Sequence, residues 1–291
     1  EFPETKSLLE KNSLCFGTVD TWLLWNLTNG RSYATDITNA SRTLLYNIHT
    51  LSYDEDLCDV FNIPLNALPD VHHSAHNFGN YVHTDGSSIP IHAIIGDQQA
   101  ALFAQCGRNQ NMIKNTYGTG LFLMANTGQT INQSPSLIST IAIGINESVD
   151  YAIEGSIFTG GSLMHWLTEI GILDTPSESE SLAKTVENNG GISIIPALSG
   201  LGAPYWQPDA TGVIMGLTRA TSKGHICRAA LESIVFQTQD VIESLYNSFA
   251  NLELNTMKVD GGATNNDWLM QFQANISNLT VERPSSIEAT A

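Results

Sequence analysis

Basic residues are scarce. Twelve lysines and arginines against 29 acidic residues leave a formal charge of −17 over 291 residues, which excludes a general electrostatic grip on nucleic acid or on an anionic membrane. An anionic substrate would need local help, from backbone amides or a metal ion. Only four cysteines occur, Cys15, Cys58, Cys106 and Cys227, with no C-x-x-C pair and no histidines near them at metal-ligand spacing. They read as ordinary thiols of a reducing compartment. No apolar run reaches the ~18 residues that a membrane span needs, and the expectation is a cytoplasmic protein without a membrane span. Six N-x-S/T sequons begin at Asn26, Asn39, Asn132, Asn146, Asn275 and Asn278. Without a secretory signal they do not imply glycosylation. The GxxxxGK[ST] P-loop and the protein-kinase set of Gly-rich loop, HRD and DFG are also missing. A nucleotide, if one binds, is held by another architecture.

What is present suits about two α/β domains at the usual ~150 residues each. The opening "EFPETKSLLEKNS" reads as a polar helix leading into a strand-like "LCFGTVDTWLLWNLT", with Asn29-Gly30 as a hairpin turn in "NLTNGRSYAT". "DEDLCDVFNI" predicts a short helix stopped at Pro64, and "IPIHAIIG" a strand ending at Asp97, with a helix from about Gln98 to Gln105. Hairpins follow in "MIKNTYGTGLFLMAN", "LISTIAIGI" and "VDYAIEGSIF", then a helix near 162–172 and a polar one near 177–188. "GISIIPAL" reads as a strand and "SGLGAPYWQPDATG" as a Gly/Pro-rich loop of specific composition. Ile226, Ala229, Ala230, Ile234 and Ile242 make one stripe on a long helix from Lys223 to about Phe249. "TMKVDGGATNNDWLMQFQANIS" is strand, glycine turn and helix, and the final "VERPSSIEATA" starts a small-residue helix. Both ends read as cut.

Three places could carry chemistry. "TYGTG", Thr116 to Gly120, puts two glycines and a threonine hydroxyl in a hairpin turn, where backbone amides can converge on phosphate oxygens. The same pattern also fits a plain tight turn. "VDGGATNND" is a second glycine turn between strand and helix, suited to a nucleotide at a helix N-terminus or to a simple connection. In "AIIGDQQAALFAQCG" the carboxylate of Asp97 stands at the start of a helix. It is either a cap for the first amides or a group facing a substrate. His165 receives no role, and Asp20, Trp22, Trp25, Arg42, Tyr205 and Trp206 fit packing at least as well as substrate contact.

Two glycine turns and a carboxylate suggest a split nucleotide site, and the longer blocks make the match specific. "FGTVDTWLLWNLT", "TDITNASRTLLYNIHTL", "GDQQAALFAQ", "KNTYGTG", "GLGAPYW", "GVIMGLTRATSKGHICRAALES" and "VDGGATNND" occur in that order. In this the chain resembles carbohydrate kinases of the FGGY family, from about Phe16 to Ala291, and within them the members that phosphorylate glycerol. The resemblance implies two RNase H-like α/β domains of actin-like ATPase type with the active site in the cleft between them. Residues 1–106 would supply the latter part of the first, incomplete domain, and residues 107–291 the second, cut short at its C-terminus. It also implies phosphorylation of glycerol to sn-glycerol 3-phosphate with ATP and Mg²⁺.

By position, the resemblance makes Asp97 the general base, close to metal and polyol, with Gln98 beside it in substrate binding. Phe122 matches the aromatic that packs on the glycerol carbons. Thr119 and Gly120 match a phosphate loop, and Gly161, Gly262 and Asn266 match positions around the nucleotide. The family's first phosphate hairpin and its polyol-gripping Arg-Glu pair have no counterpart before Phe16, so residues 1–291 alone are expected to be inactive. Another FGGY polyol or ketose kinase, a non-catalytic nucleotide-binding module and self-association into a homo-oligomer stay open.

Overall fold

The computed structural model describes residues 3–11, 13–249 and 252–284. The small-residue helix expected at the C-terminus falls at 285–291, outside the described residues. The chain forms two compact units. The first comprises residues 1–103 with 128–131 and 140–151, and the second comprises 104–127, 132–139 and 152–291.

The first unit starts with helices α1 (Pro3–Glu10) and α2 (Val19–Leu27). α2 overturns the strand and hairpin expected there. Aromatic and β-branched residues point to a strand, but Thr21 and Leu24, three apart, are the buried positions, while Val19, Trp22 and Leu23 stay exposed. Asn29 and Gly30, both at positive φ, turn the chain out of the helix instead of joining two strands. Gly30 N donates to Trp25 O at 2.8 Å. β1 (Ala34–Asp36) then runs into the short α3 (Ile37–Ala40), followed by the β2–β3 hairpin (Tyr46–Asn47 and Ser52–Tyr53). α4 (Glu55–Phe61) is capped by Asp54 and ends on left-handed Asn62, two residues before Pro64, as the sequence predicts. β4 (Asp70–His72) pairs parallel with β1, and β5 (Asn80–Val82) pairs antiparallel with β6 (Ser88–Pro90).

The strand expected to reach Asp97 stops at Pro90. Beyond it the backbone takes mixed partners in place of one ladder: Ile91 N donates to Gly79 O, Ile94 N to Ser74 O and Gly96 N to Thr38 Oγ1. Helix α5 (Asp97–Cys106) starts directly after this segment. The block "TDITNAS" resolves into a cap. Asp36, fully buried, accepts from Thr38 N, Asn39 N, Thr38 Oγ1, Asn39 Nδ2 and Ser74 Oγ at 2.7–3.1 Å. Asp20 is likewise structural, accepting from the hydroxyls of Thr18 and Thr35.

In the second unit β7 (Met112–Tyr117) and β8 (Leu121–Gly128) form the hairpin expected at "TYGTG". β9 (Ile138–Ile145) and β10 (Ser148–Ile157), whose residues 140–151 are counted with the first unit, and then α6 (Gly161–Glu169) follow. The polar helix near 177–188 is shorter than expected: a turn at Pro176–Glu178 and then α7 (Ser179–Ala183). β11 (Ser193–Ile195) and β12 (Val213–Met215) pair antiparallel across the glycine-rich loop. The long helix α8 (Lys223–Ser248) buries Ala230, Ile234, Val241, Ile242 and Leu245, with Ile226 half-buried. β13 (Thr256–Asp260), α9 (Asp267–Ser277) and β14 (Thr280–Glu282) complete the unit. The largest sheet has the order β14-β13-β7-β8-β10-β9, with β13 parallel to both β7 and β14. Leu163, Ile234 and Leu269, from α6, α8 and α9, pack with Ile113 and Val259 of this sheet in one core.

The cysteines carry no disulfide. Burial pushes the Cys106 thiol up to about 11 and the Cys227 thiol up to about 12, so both stay protonated.

Asp36→Ala would leave two backbone amides and three side-chain donors without their shared acceptor. The expected loss is about 2–4 kcal/mol, a lost cap plus unsatisfied buried donors. A urea transition unchanged from wild type would mean that the donors find other partners.

Candidate nucleotide and phosphate site

The site is built on the Gly118–Gly120 turn. Gly118 N donates to Gly120 O at 3.0 Å, closing the β7–β8 connection. Its carbonyls face the start of α6: Gly161 N donates to Gly118 O at 2.8 Å, and Gly160 N, Ser162 N and Ser162 Oγ all donate to Thr119 O. This docking requires glycine. A Cβ on Gly120 would come within 2.5 Å of Ile157 O, and one on Gly161 within 2.8 Å of Gly118 O.

A second backbone turn completes the site. Gly261, at φ +90°, lets the chain leave β13 against Tyr117, where a Cβ would lie 2.6 Å from the Tyr117 carbonyl oxygen. Gly262–Asn265 forms a 3₁₀ turn, and Asn266 then caps α9 by accepting from Leu269 N at 2.8 Å. Of the two readings left open for "VDGGATNND", a helix N-terminus for a nucleotide or a simple connection, the chain here forms a turn followed by a capped helix. Gly262 is the unobstructed position here, with nothing within 4 Å of an added Cβ.

Thr119, Gly161, Gly262 and Asn266 line one cavity of about 480 Å³. Gly120 shapes the turn behind Thr119 and does not line the cavity. Sequence reasoning missed most of the opposite wall, which comes from Pro176, Ser177, Ser179 and Glu180. His165, left without a role above, also lines the cavity. Its signal was its spacing of four residues from Gly161, which puts both on one face of α6. Glu180 is held in place, accepting from Asp267 N at 3.2 Å and from Lys184 Nζ.

The other candidates are not among the residues that line this cavity. Asp97 opens α5 with an exposed carboxylate whose Oδ1 accepts from Gln98 N at 2.8 Å. Gly96 precedes the helix and its carbonyl accepts the first helical bond, from Ala100 N, so Asp97 is not the cap. Gln98 is half-buried beside it. Phe122 lies on β8 opposite Thr116 and is 38% exposed between the fully buried Leu121 and Leu123.

The "GLGAPYW" loop is fixed by packing. A Cβ on Gly202 would lie 2.1 Å from Ser156 O, and Ala203 N donates to that oxygen at 2.8 Å. Trp206 Nε1 donates to Ser136 O, and Tyr205 OH to Asp240 Oδ2. Burial pushes the Tyr205 phenol up to about 12 and raises the Asp240 carboxyl above its usual range.

Among the described residues, no three His, Cys, Asp or Glu side chains cluster to form a metal cage. Mg²⁺ does not need one. It commonly binds through one or two carboxylates together with nucleotide phosphates and water, and Asp97 offers one exposed hard-oxygen donor of that kind. No helix among the described residues is long and apolar enough to cross a membrane.

Comparison with known proteins adds the family. The chain is 52% identical to a glycerol kinase of Desulfitobacterium hafniense over 99% of its own length and 59% of that protein's. It superposes on the crystal structure of Plasmodium falciparum glycerol kinase with ADP at a TM-score of 0.91 and 41% identity, covering 99% of this chain and 58% of that one. A ligand-bound xylulose kinase from Lactobacillus acidophilus shares the fold at a TM-score of 0.78 and 23% identity, over 93% of this chain and 56% of that one. The chain therefore spans less than two thirds of the length of these relatives. Residues 3–104 match the N-terminal domain of the FGGY family of carbohydrate kinases and residues 113–291 match its C-terminal domain; with both domains present in family order on one two-unit α/β fold, this chain belongs to that family.

Proposed function

We propose that the protein is an ATP-dependent glycerol kinase of the cytoplasm, converting glycerol to sn-glycerol 3-phosphate. The observation that carries this reading is the gap in similarity: 52% identity to a curated glycerol kinase against 23% to a xylulose kinase of the same fold. The exposed Phe122 ring points the same way, because an apolar wall suits a three-carbon backbone better than a polyhydroxylated sugar. A panel of glycerol, pentuloses and hexuloses offered to the complete protein tests it. Faster turnover of a pentulose than of glycerol at equal concentration overturns the substrate assignment.

In this reading the nucleotide occupies the cavity lined by Thr119, Gly161, Gly262 and Asn266. Thr119, on the turn that Gly120 shapes, faces the phosphates, while Gly161, Gly262 and Asn266 surround the ribose, phosphate and adenine. Asp97 accepts the proton of a glycerol hydroxyl as its oxygen bonds to the γ-phosphorus. The bond from that phosphorus to the β–γ bridging oxygen breaks, and ADP leaves with the electron pair. Gln98 and Phe122 position the glycerol, one by its amide and the other by its ring. Asp97 would hold Mg²⁺ together with the nucleotide phosphates, and the ion would neutralise phosphate charge. Phosphoryl transfer depends mainly on positioning and charge stabilisation, so this small set of groups is sufficient.

Asp97→Asn in the complete protein separates the base from a local structural role. Asn keeps the size and an oxygen for the Gln98 amide, so folding and ADP binding persist. It cannot take the proton, and kcat falls roughly 10²- to 10⁴-fold, the usual contribution of a general base. A kcat within about threefold of wild type removes Asp97 from the chemistry.

Phe122→Ala raises the KM for glycerol more than it lowers kcat, because an apolar contact stabilises ground state and transition state alike. The expected loss is about 1–3 kcal/mol. An unchanged KM detaches Phe122 from the substrate.

Gly262→Ala tests the nucleotide cavity. Open space around an added Cβ predicts an unchanged melting temperature, whereas the new methyl enters the cavity and weakens ADP binding measured by calorimetry. ADP affinity equal to wild type argues against this cavity as the nucleotide site.

A further inference from the structure

A buried polar cluster at the end of β13 lies outside the roles assigned above. Asp260, the last residue of β13, is 1% exposed. In the parallel ladder Lys258 pairs with Lys114 and Asp260 with Thr116, which puts these four side chains on one face of the sheet. Lys114 is fully buried, with Nζ 4.0 Å from Asp260 Oδ2. Gln105, in the last turn of α5, donates from Nε2 to the same oxygen at 2.6 Å. Two acceptors are left over, because Asp260 Oδ1 and Gln105 Oε1 are buried without a hydrogen-bond donor.

This is an expensive way to build a core. A carboxylate and an ammonium removed from water lose hydration that their attraction only partly returns, and each orphan acceptor adds to the cost. Apolar side chains of similar volume in place of such a pair are often neutral or stabilising. The location shows what the cluster can do. Asp260 is followed directly by Gly261, pressed against the Tyr117 backbone, and by Gly262, which lines the cavity. The path by which the chain leaves β13 is therefore held on one side by the Tyr117 carbonyl and on the other by the anchored Asp260 carboxylate.

Resting on the reading of that cavity as the nucleotide site, we propose that Asp260, fixed by Gln105 and Lys114, is a positioning residue that sets the Gly261–Asn266 turn for a nucleoside diphosphate without touching it. Stability and nucleotide affinity then separate on substitution. The test is the 291-residue chain, with ADP affinity by calorimetry and stability by urea unfolding.

Asp260→Leu alone removes the carboxylate that Lys114 Nζ approaches and lowers the urea midpoint. Adding Lys114→Met removes both charges and restores the midpoint, while ADP binding stays more than fivefold weaker than wild type. A restored double variant that binds ADP within fivefold of wild type makes the cluster purely structural and overturns the proposal. If the double variant does not fold, Gln105→Met carries the same test: the folded variant is expected to bind ADP more than fivefold more weakly, and affinity within fivefold overturns the proposal. Failure of the wild-type chain to bind ADP is a separate result, which overturns the nucleotide reading and this inference with it.

Discussion

The contact of the Gly118–Gly120 turn with the start of α6 is the constraint on which the candidate site depends. Two loop carbonyls accept the first donors of that helix, so the β7–β8 hairpin and α6 are locked at the distance of a backbone hydrogen bond. No residue with a side chain fits at Gly120 or Gly161 without displacing backbone. The cavity follows from this lock. One wall is the Thr119 turn and the adjoining face of α6, and the Gly262 turn can close on it because Gly261 leaves β13 in a conformation that L side chains rarely adopt.

The elements of the second unit were legible because their signals are local and redundant. The α8 stripe repeats at helical spacing from Ile226 to Leu245, and the hairpin at "TYGTG" has a turn signal and β-prone flanks. The two glycine turns could be read as backbone chemistry before their position was known. The short elements of the first unit were harder. In "VDTWLLWNL" aromatic content outweighed period, and an Asn-Gly pair that closes hairpins also ends helices. Residues 91–96 have the composition of a strand, but their partners come from Gly79, Ser74 and a threonine hydroxyl far away in sequence.

The same limit applies inside the site. Thr119, Gly161, Gly262 and Asn266 could be named from motifs, yet the wall at 176–180 comes from a stretch whose polar composition suggests only a surface helix. Its place is set by long-range bonds, such as Asp267 N to Glu180 and Asn266 Nδ2 to Ser179 Oγ. Buried polar partnerships are equally invisible to periodicity. Nothing in "MIKNTY" marks Lys114 and Asn115 as fully buried, because these polar neighbours fall on opposite faces of the strand and neither carries an apolar pattern. Likewise, the Asp36 cap lies in a block, "TDITNAS", whose place in the fold depends on Ser74, 38 residues on, which donates to the same carboxylate.

Charge connects the composition to the proposed chemistry. The chain carries −17 overall, and among the described residues neither lysine nor arginine lines the cavity assigned to the nucleotide. A polyphosphate placed there meets no lysine or arginine side chain among the described residues, and it meets the carboxylate of Glu180. The first amides of α6 are already committed to the Gly118 and Thr119 carbonyls, so the helix contributes mainly through its dipole. Attraction of the anion must therefore come from oriented backbone and from a divalent cation that travels with the phosphates. On the proposed function, shape and the metal complex would hold the nucleotide, because a bare anion in the same cavity is poorly compensated.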